Sequence, residues 1–256
     1  MKKIVTPILV ALTLGAATGA MAQTAAPAEP VSSLSFNVGA VTDYRYRGIS
    51  QSRLNPALQG GVDYADKSGF YVGAWGSTIK WIQDAGAKDG NVELDIYGGY
   101  KGAVGDVSYD VGYLRYQYVS NTYGKANGAF AGYANANTDE AYVAATFGVV
   151  TAKYSYAFSN LFGNVNSKGS YYLDLSAALD LGDGYSLTPH LGYQSIANTP
   201  DGTYTDYALT LGKDLGNGLS ASAALIGTNA KKSFYYTPAL KATGDAGLVV
   251  GIKYAF

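Results

Sequence analysis

The sequence holds 256 residues, 48% hydrophobic and only 14% charged, with 33 Gly, 24 Tyr, one His, no Cys and a formal charge of −1. The missing cysteine excludes disulfides, zinc–thiolate and iron–sulfur sites, thiol nucleophiles and lipidation at Cys, and the single His excludes metal sites needing two imidazoles. Near-balanced charge leaves no basic footprint for a nucleic-acid partner, while the low charge with abundant aromatics argues against disorder.

At the start, Met1-Lys2-Lys3 supplies a short positive region, residues 4–20 an apolar stretch and Ala20-Met21-Ala22 a small-x-small cleavage site. Residues 1–22 therefore read as an export signal cleaved near Ala22. A spanning helix is the competing reading, and Pro7, the glycines and the short length weigh against it. Losing Lys2 and Lys3 leaves 16 basic and 19 acidic residues, a mature charge of −3. Residues 23–33 lack periodicity, contain Pro27 and Pro30, and read as a flexible lead-in.

From Leu34 onward the hydrophobic period is two. Leu34, Phe36, Val38 and Ala40 alternate with Ser35, Asn37 and Gly39; Val92, Leu94 and Ile96 alternate with Glu93, Asp95 and Tyr97. Twelve such runs follow, at 34–43, 57–65, 70–78, 91–100, 107–118, 140–148, 151–159, 170–180, 185–195, 205–213, 218–228 and 245–256, and no segment carries a helical stripe. Most have the length of a tilted strand that crosses a bilayer, longer than the roughly five or six residues usual in soluble sheets. Short turns alternate with longer polar loops, the longest near 119–139 (Asn121, Asn127, Asn135, Asn137) and 229–244 (Asn229, Lys231, Lys232).

The expected fold is all-β: a transmembrane, antiparallel, up-and-down β-barrel of about twelve strands over residues 34–256, with both termini on the short-turn side. A soluble sandwich or lipocalin-like barrel is the alternative, because periodicity alone does not say which face is inside. Three features favour the inverted arrangement. The apolar face is nearly free of charge, an even strand count leaves no open edge, and Tyr recurs near strand ends (Tyr44, Tyr64, Tyr71, Tyr100, Tyr109, Tyr118, Tyr193, Tyr207), where interfacial girdles sit.

The end of the chain resembles the assembly signal of bacterial outer-membrane barrels, an aromatic terminus on an alternating strand: Val250, Ile252, Tyr254, Phe256. That resemblance implies the barrel-assembly machinery as a partner and a Gram-negative outer membrane as the location. The mature chain as a whole resembles the TorF-family porins. The most specific piece is Asp43-Tyr44-Arg45-Tyr46-Arg47-Gly48-Ile49-Ser50-Gln51-Ser52, with Pro56, Gln59 and Gly60 after it. Further pieces are Gly69-Phe70-Tyr71-Val72-Gly73-Ala74-Trp75, Glu93-Leu94-Asp95-Ile96-Tyr97-Gly98-Gly99-Tyr100, Tyr109-Asp110-Val111-Gly112-Tyr113, Ser167-Lys168-Gly169-Ser170-Tyr171-Tyr172-Leu173-Asp174, His190-Leu191-Gly192-Tyr193 and Tyr204-Thr205-Asp206-Tyr207. The resemblance implies a channel for passive diffusion of small hydrophilic solutes, without a cofactor and without enzymatic activity.

Candidate pore residues come from charge placement. Three of the four arginines, Arg45, Arg47 and Arg53, fall in the first long loop. They fit either a folded-in constriction that selects anions, or pairing with Asp43, Asp95 or Asp206, or contact with lipopolysaccharide phosphates and other outer-membrane lipids. Asp63 and Asp110 are expected low in the lumen, Asp174 midway, and Glu93, Asp95 and Asp206 higher; a wet pore and a plugged barrel both accommodate them. A hairpin through Gly182-Asp183-Gly184 puts Ser176 opposite His190 with Asp174 diagonal to it. That trio opens a hydrolase alternative acting on lipid or peptide, against which a His190–Asp174 hydrogen bond is the plainer reading. A closed structural or adhesive barrel is the remaining alternative.

Overall fold

The structure, a computed structural model, describes residues 32–125 and 132–256. The expected export signal, most of the lead-in, and Asn127 lie outside the described residues. In chain order the strands are β1 (Ser33–Val41), β2 (Arg45–Tyr46), β3 (Ile49–Ser50), β4 (Ala57–Ala65), β5 (Phe70–Thr78), β6 (Val92–Val104), β7 (Val107–Tyr118), β8 (Thr138–Phe147), β9 (Val150–Ala157), β10 (Tyr171–Ala177), β11 (Leu179–Gly182), β12 (Tyr185–Ser195), β13 (Tyr204–Gly216), β14 (Leu219–Thr228) and β15 (Gly247–Ala255). A single helical turn, α1 (Trp81–Asp84), sits in the second long loop, where alternation gave no hint of it.

Strands β10 and β11 are one stave interrupted at Ala178, since both pair with β12. The wall therefore has twelve staves, each antiparallel to its neighbours, and closes where β1 meets β15 from Asn37↔Ala255 to Val41↔Gly251. Closure satisfies every stave on both sides and removes the unpaired edges that an open sheet would present. Ser176 does face His190. The turn beyond them has only two residues, Asp183-Gly184, and a bulge between Asp180 and Gly182 restores the register that a three-residue turn would have given.

Turns are short at one end. Asp183 (φ 52°) with Gly184 (φ 75°), and Asn217 (φ 53°) with Gly218 (φ 81°), hold the paired positive φ values of tight hairpin turns. At the opposite end lie the six longer connections, at 42–56, 79–91, 119–137, 158–170, 196–203 and 229–246. The first strand's start, Ser33, and Phe256 are both on the short-turn side, where Phe36 and Phe256 exchange backbone hydrogen bonds of 2.8 and 3.0 Å.

The alternation sorts the two faces cleanly. Leu58, Val72, Ile96, Val111, Val143, Leu173, Leu191, Leu209, Leu225 and Leu248 stand exposed on the exterior, and Asp63, Glu93, Asp95, Asp110, Glu140, Asp174 and Asp206 face inward. Several of the tyrosines expected at the rims belong inside instead. Tyr44, Tyr71 and Tyr118 have inward parity or sit on the inserted loop, and their hydroxyls lie among lumen carboxylates, whereas Tyr64, Tyr193 and Tyr207 are exposed outside. Inward Tyr rings are accommodated by inward Gly: a side chain at Gly73 would strike the Tyr97 ring, and one at Gly112 the Tyr142 ring.

Candidate functional site

The first long loop does not stay at the rim. Strands β2 and β3 pair as a miniature hairpin, Arg45↔Ser50 and Tyr46↔Ile49, that enters the lumen. Arg47 (φ 47°) and Gly48 (φ 78°) form its two-residue turn, and positive φ at both positions matches the twist of the flanking strands. A Cβ on Gly48 would overlap the Thr228 methyl and lie 2.7 Å from Asp206 Cβ, so the turn rests directly on the β13–β14 wall.

Hydrogen bonds fix the base of the hairpin. Asp43 accepts from Arg45 Nε at 2.7 Å and from Ser50 Oγ at 2.5 Å, and Ser52 Oγ accepts the Tyr44 N–H at 2.9 Å. Arg45 Nη1 donates to the Asp245 carbonyl at 2.7 Å, and the Ser50 N–H to the Thr243 carbonyl at 2.9 Å, so the last long loop braces the first. Tyr44 is fully buried and donates to Glu93 Oε1 at 2.8 Å.

The tip spans the lumen through Arg47. Its Nη2 donates to Glu140 on β8 at 2.8 Å and its Nη1 to Gln194 on β12 at 2.6 Å. The guanidinium also lies 4.8 Å from the Tyr46 ring centre and 4.2 Å from that of Tyr172 on β10. Tyr46 and Tyr116 share a short hydroxyl contact, and Tyr116 donates to Glu140 at 3.2 Å. A planar fork with five donors suits this bidentate, stacked setting in a way that an ammonium would not.

Of the three loop arginines, the structure brings Arg45 and Arg47 inside and leaves Arg53 at the mouth, paired with Asp84 of α1. The hydrogen bond to Asp84 holds the Arg53 guanidinium above its ordinary pKa. Asp43 is a partner as expected, but Asp95 and Asp206 pair with none of the three; Glu140, Gln194 and Asp84 take those places. Glu140 was legible by parity with Tyr142 and Ala144; Gln194 by parity with His190 and Gly192. What the sequence withheld was that the first loop reaches them.

Lower in the lumen, Asp63 accepts from Tyr97 at 2.5 Å and Asp110 from Tyr71 at 2.6 Å. His190 Nε2 lies 2.8 Å from Asp174 and 3.2 Å from the Tyr172 hydroxyl, and its Nδ1 is 3.5 Å from Asp206. The imidazole is thereby committed to two carboxylates and a phenol. No hydrogen bond joins it to Ser176 among the described residues, so the geometry supplies no activated nucleophile there. Lys153, not singled out in the sequence, faces inward with Nζ 4.1 Å from the Tyr142 ring centre.

Above the hairpin, at the long-loop end, lies an open cavity, about 1010 Å³ with the open solvent at its mouth included. Trp81, Tyr118, Tyr123, Phe162, Tyr204 and Tyr235 line it, with Tyr46 at its floor and Gln51, Asn164 and Gln194 as amides. Among the described residues no group of His, Cys, Asp and Glu could hold a metal ion.

A family described as "Bacterial protein of unknown function (Gcw_chp)" matches residues 24–256. The chain belongs to that family. No curated protein matches it. Solved structures similar to this Gcw_chp chain include the NanC porin (TM-score 0.55, 11% identity, covering 88% of this chain and 99% of that one) and the KdgM porin (0.54, 9%, 88% and 99%). The COG4313 outer membrane channel from Pseudomonas putida F1 is also similar (0.50, 11%, 89% and 96%). At such identities the likeness is one of architecture: Gcw_chp residues build the same kind of closed antiparallel barrel.

Proposed function

We propose that the protein is an outer-membrane channel through which small hydrophilic solutes diffuse passively, with the inserted hairpin as its constriction. The observation that carries this reading is the inversion of the barrel: apolar side chains on the outside of every stave, acids, lysines and tyrosines within. An exposed apolar belt this continuous is far larger than the few hundred Å² of apolar patch on a soluble monomer, and it is the surface a bilayer requires. Twelve staves make a lumen between the side-chain-filled eight-stranded case and the open sixteen-stranded one, so one inserted loop is enough to set its bore. The resemblance to TorF-family porins and the barrel likeness to porins support the same reading.

The finer assignments go with it. Residues 1–22 act as the export signal, and Val250, Ile252, Tyr254 and Phe256 present an exposed apolar face to the assembly machinery. Asp43, Arg45 and Arg47, with Asp63, Glu93, Asp95, Asp110, Asp174, His190 and Asp206, shape the solute path, and Arg53 marks its mouth. Lipopolysaccharide and phospholipid cover the exterior.

Burial favours one competing reading. Tyr44, Tyr116, Tyr118, Glu93 and Glu140 are almost completely shielded around the hairpin, as in a plugged structural barrel. Planar-bilayer recording separates the two: reproducible single-channel steps from the folded, heat-modifiable protein are expected. A folded barrel that stays silent over the whole voltage range overturns the channel in favour of the plug.

A further inference from the structure

The inward face carries more acid than base. Asp63, Glu93, Asp95, Asp110, Glu140, Asp174, Asp206 and Asp43 stand against Lys101, Lys153, Lys253, Arg45 and Arg47, eight acids to five bases, with His190 between Asp174 and Asp206. Part of that acid is poorly satisfied. Asp95 is only 1% exposed and its Oδ1 has no hydrogen-bond partner; Glu93 Oε2 and Glu140 Oε1 are likewise buried and unbonded, although the second oxygen of each is held, by Tyr44 and by Arg47. A buried carboxylate oxygen with no donor is relieved either by taking up a proton or by a positive charge nearby.

These oxygens lie behind the aromatic cavity. Tyr118 on the cavity wall is in register with Glu93, and Tyr46 at the floor is linked through Tyr116 to Glu140. The charged residues on the cavity wall, Arg53 and Asp84, neutralise each other, and Arg47 beneath the floor is paired with Glu140, which leaves the electron-rich ring faces with Glu93 and Asp95 behind them to set the local field. The protein's own cations already use such faces further down: Arg47 on Tyr46 and Tyr172, Lys153 on Tyr142 at 4.1 Å, Lys101 on Tyr71 at 4.7 Å.

A strongly hydrated metal cation gains little from aromatic walls, an anion is opposed by the electron-rich ring faces and the acids behind them, and a neutral solute makes no use of that negative potential. A weakly hydrated cation with apolar surface satisfies all three features. We propose that the cavity above the hairpin binds an organic monocation of the alkylammonium class, and that the lumen passes such cations in preference to anions of similar size. The second clause rests on the channel reading, and the first does not.

The probe is tetramethylammonium chloride. The refolded full barrel in detergent reports binding through the fluorescence of Trp81 on the cavity wall, with sodium chloride at equal ionic strength, sodium acetate and sucrose as controls. A saturable change with tetramethylammonium alone is expected, weakened about tenfold by Tyr123→Leu or Tyr235→Leu. In planar bilayers, a tetramethylammonium chloride gradient is expected to give a cation-selective reversal potential that moves toward zero in Asp95→Asn, with Glu93→Gln as the second variant should the first not fold. Saturation by sucrose or acetate in place of tetramethylammonium, or an anion-selective reversal potential, overturns the proposal. A barrel that binds tetramethylammonium but never conducts refutes the channel while sustaining the site; one that conducts but ignores tetramethylammonium refutes the site while sustaining the channel.

Discussion

Arg47 and Gly48 occupy the turn of the inserted hairpin, and each is there for a different reason. Arg47 supplies two donors and a flat face to a site walled by Glu140, Gln194, Tyr46 and Tyr172. Truncation in Arg47→Ala leaves the Glu140 carboxylate buried and unpaired, a change that costs about 3 kcal/mol unless water replaces the partner. The expected outcome is a lower urea midpoint for the folded barrel together with a larger single-channel conductance, because the atoms removed lie across the bore. Unchanged conductance in a folded Arg47→Ala barrel would count against the hairpin as constriction. Gly48 makes a different test. With φ at 78° and the β13–β14 wall against its Cα, Gly48→Ala adds about 1–2 kcal/mol of backbone strain as well as a clash with Thr228. The wall's hydrogen-bond ladder is untouched, so the barrel should still fold while hairpin and wall separate. Proteolysis within residues 43–52 should quicken, and conductance should become noisier.

Elements differ in how far their own residues determine them. The staves were legible because period-two alternation is a local signal. Val92, Leu94 and Ile96 outside and Glu93, Asp95 and Tyr97 inside follow from adjacent positions alone. The inserted hairpin was not legible to the same degree. Its Arg-Gly turn is a local signal, but its partners are 93 and 147 residues further along the chain, and nothing local says that this loop, rather than another, enters the lumen. Tyr44 and Tyr118 were misplaced for a related reason: a Tyr near a strand end suits a rim or a lumen equally, and only the neighbouring stave decides. The turns, by contrast, carry their own chemistry. In the β4–β5 turn Asp66 accepts the Ser68 N–H at 2.9 Å, with the Ser68 hydroxyl and Ser32 also donating, and these bonds pull its carboxyl down to about 2. A depressed folded-state pKa stabilises above the unfolded value and is lost as pH falls through the folded one. The turn should therefore hold at neutral pH and loosen between about pH 4 and 2. Carboxyl NMR of Asp66 should show that midpoint, and Ser68→Ala should move it upward.

For the whole molecule the decisive question is what surrounds the barrel, and two exterior leucines on one stave can answer it. Leu209 lies near the middle of β13 and is 47% exposed; Leu215 lies at its short-turn end and is 51% exposed. Nearly equal exposure means that water around the barrel would treat the two alike. In that case Leu209→Arg and Leu215→Arg each change stability by about 0.5 kcal/mol or less. A bilayer distinguishes them by depth: an arginine at the midplane costs about 2–4 kcal/mol, and one at the interface about 0–1 kcal/mol, because the long side chain reaches the headgroups. Reversible urea unfolding in phospholipid vesicles should therefore show a large loss for Leu209→Arg and a small one for Leu215→Arg. The same pair in detergent should shrink the difference, since a micelle has no fixed midplane. Equal effects at the two sites in vesicles would remove the bilayer from the account, and with it the reason for an exterior made of leucine, valine and isoleucine. A graded loss would fix both the depth of β13 in the membrane and the physical sense of the inversion: the polar interior faces the solute path, while the lipid stands where a soluble protein keeps its core.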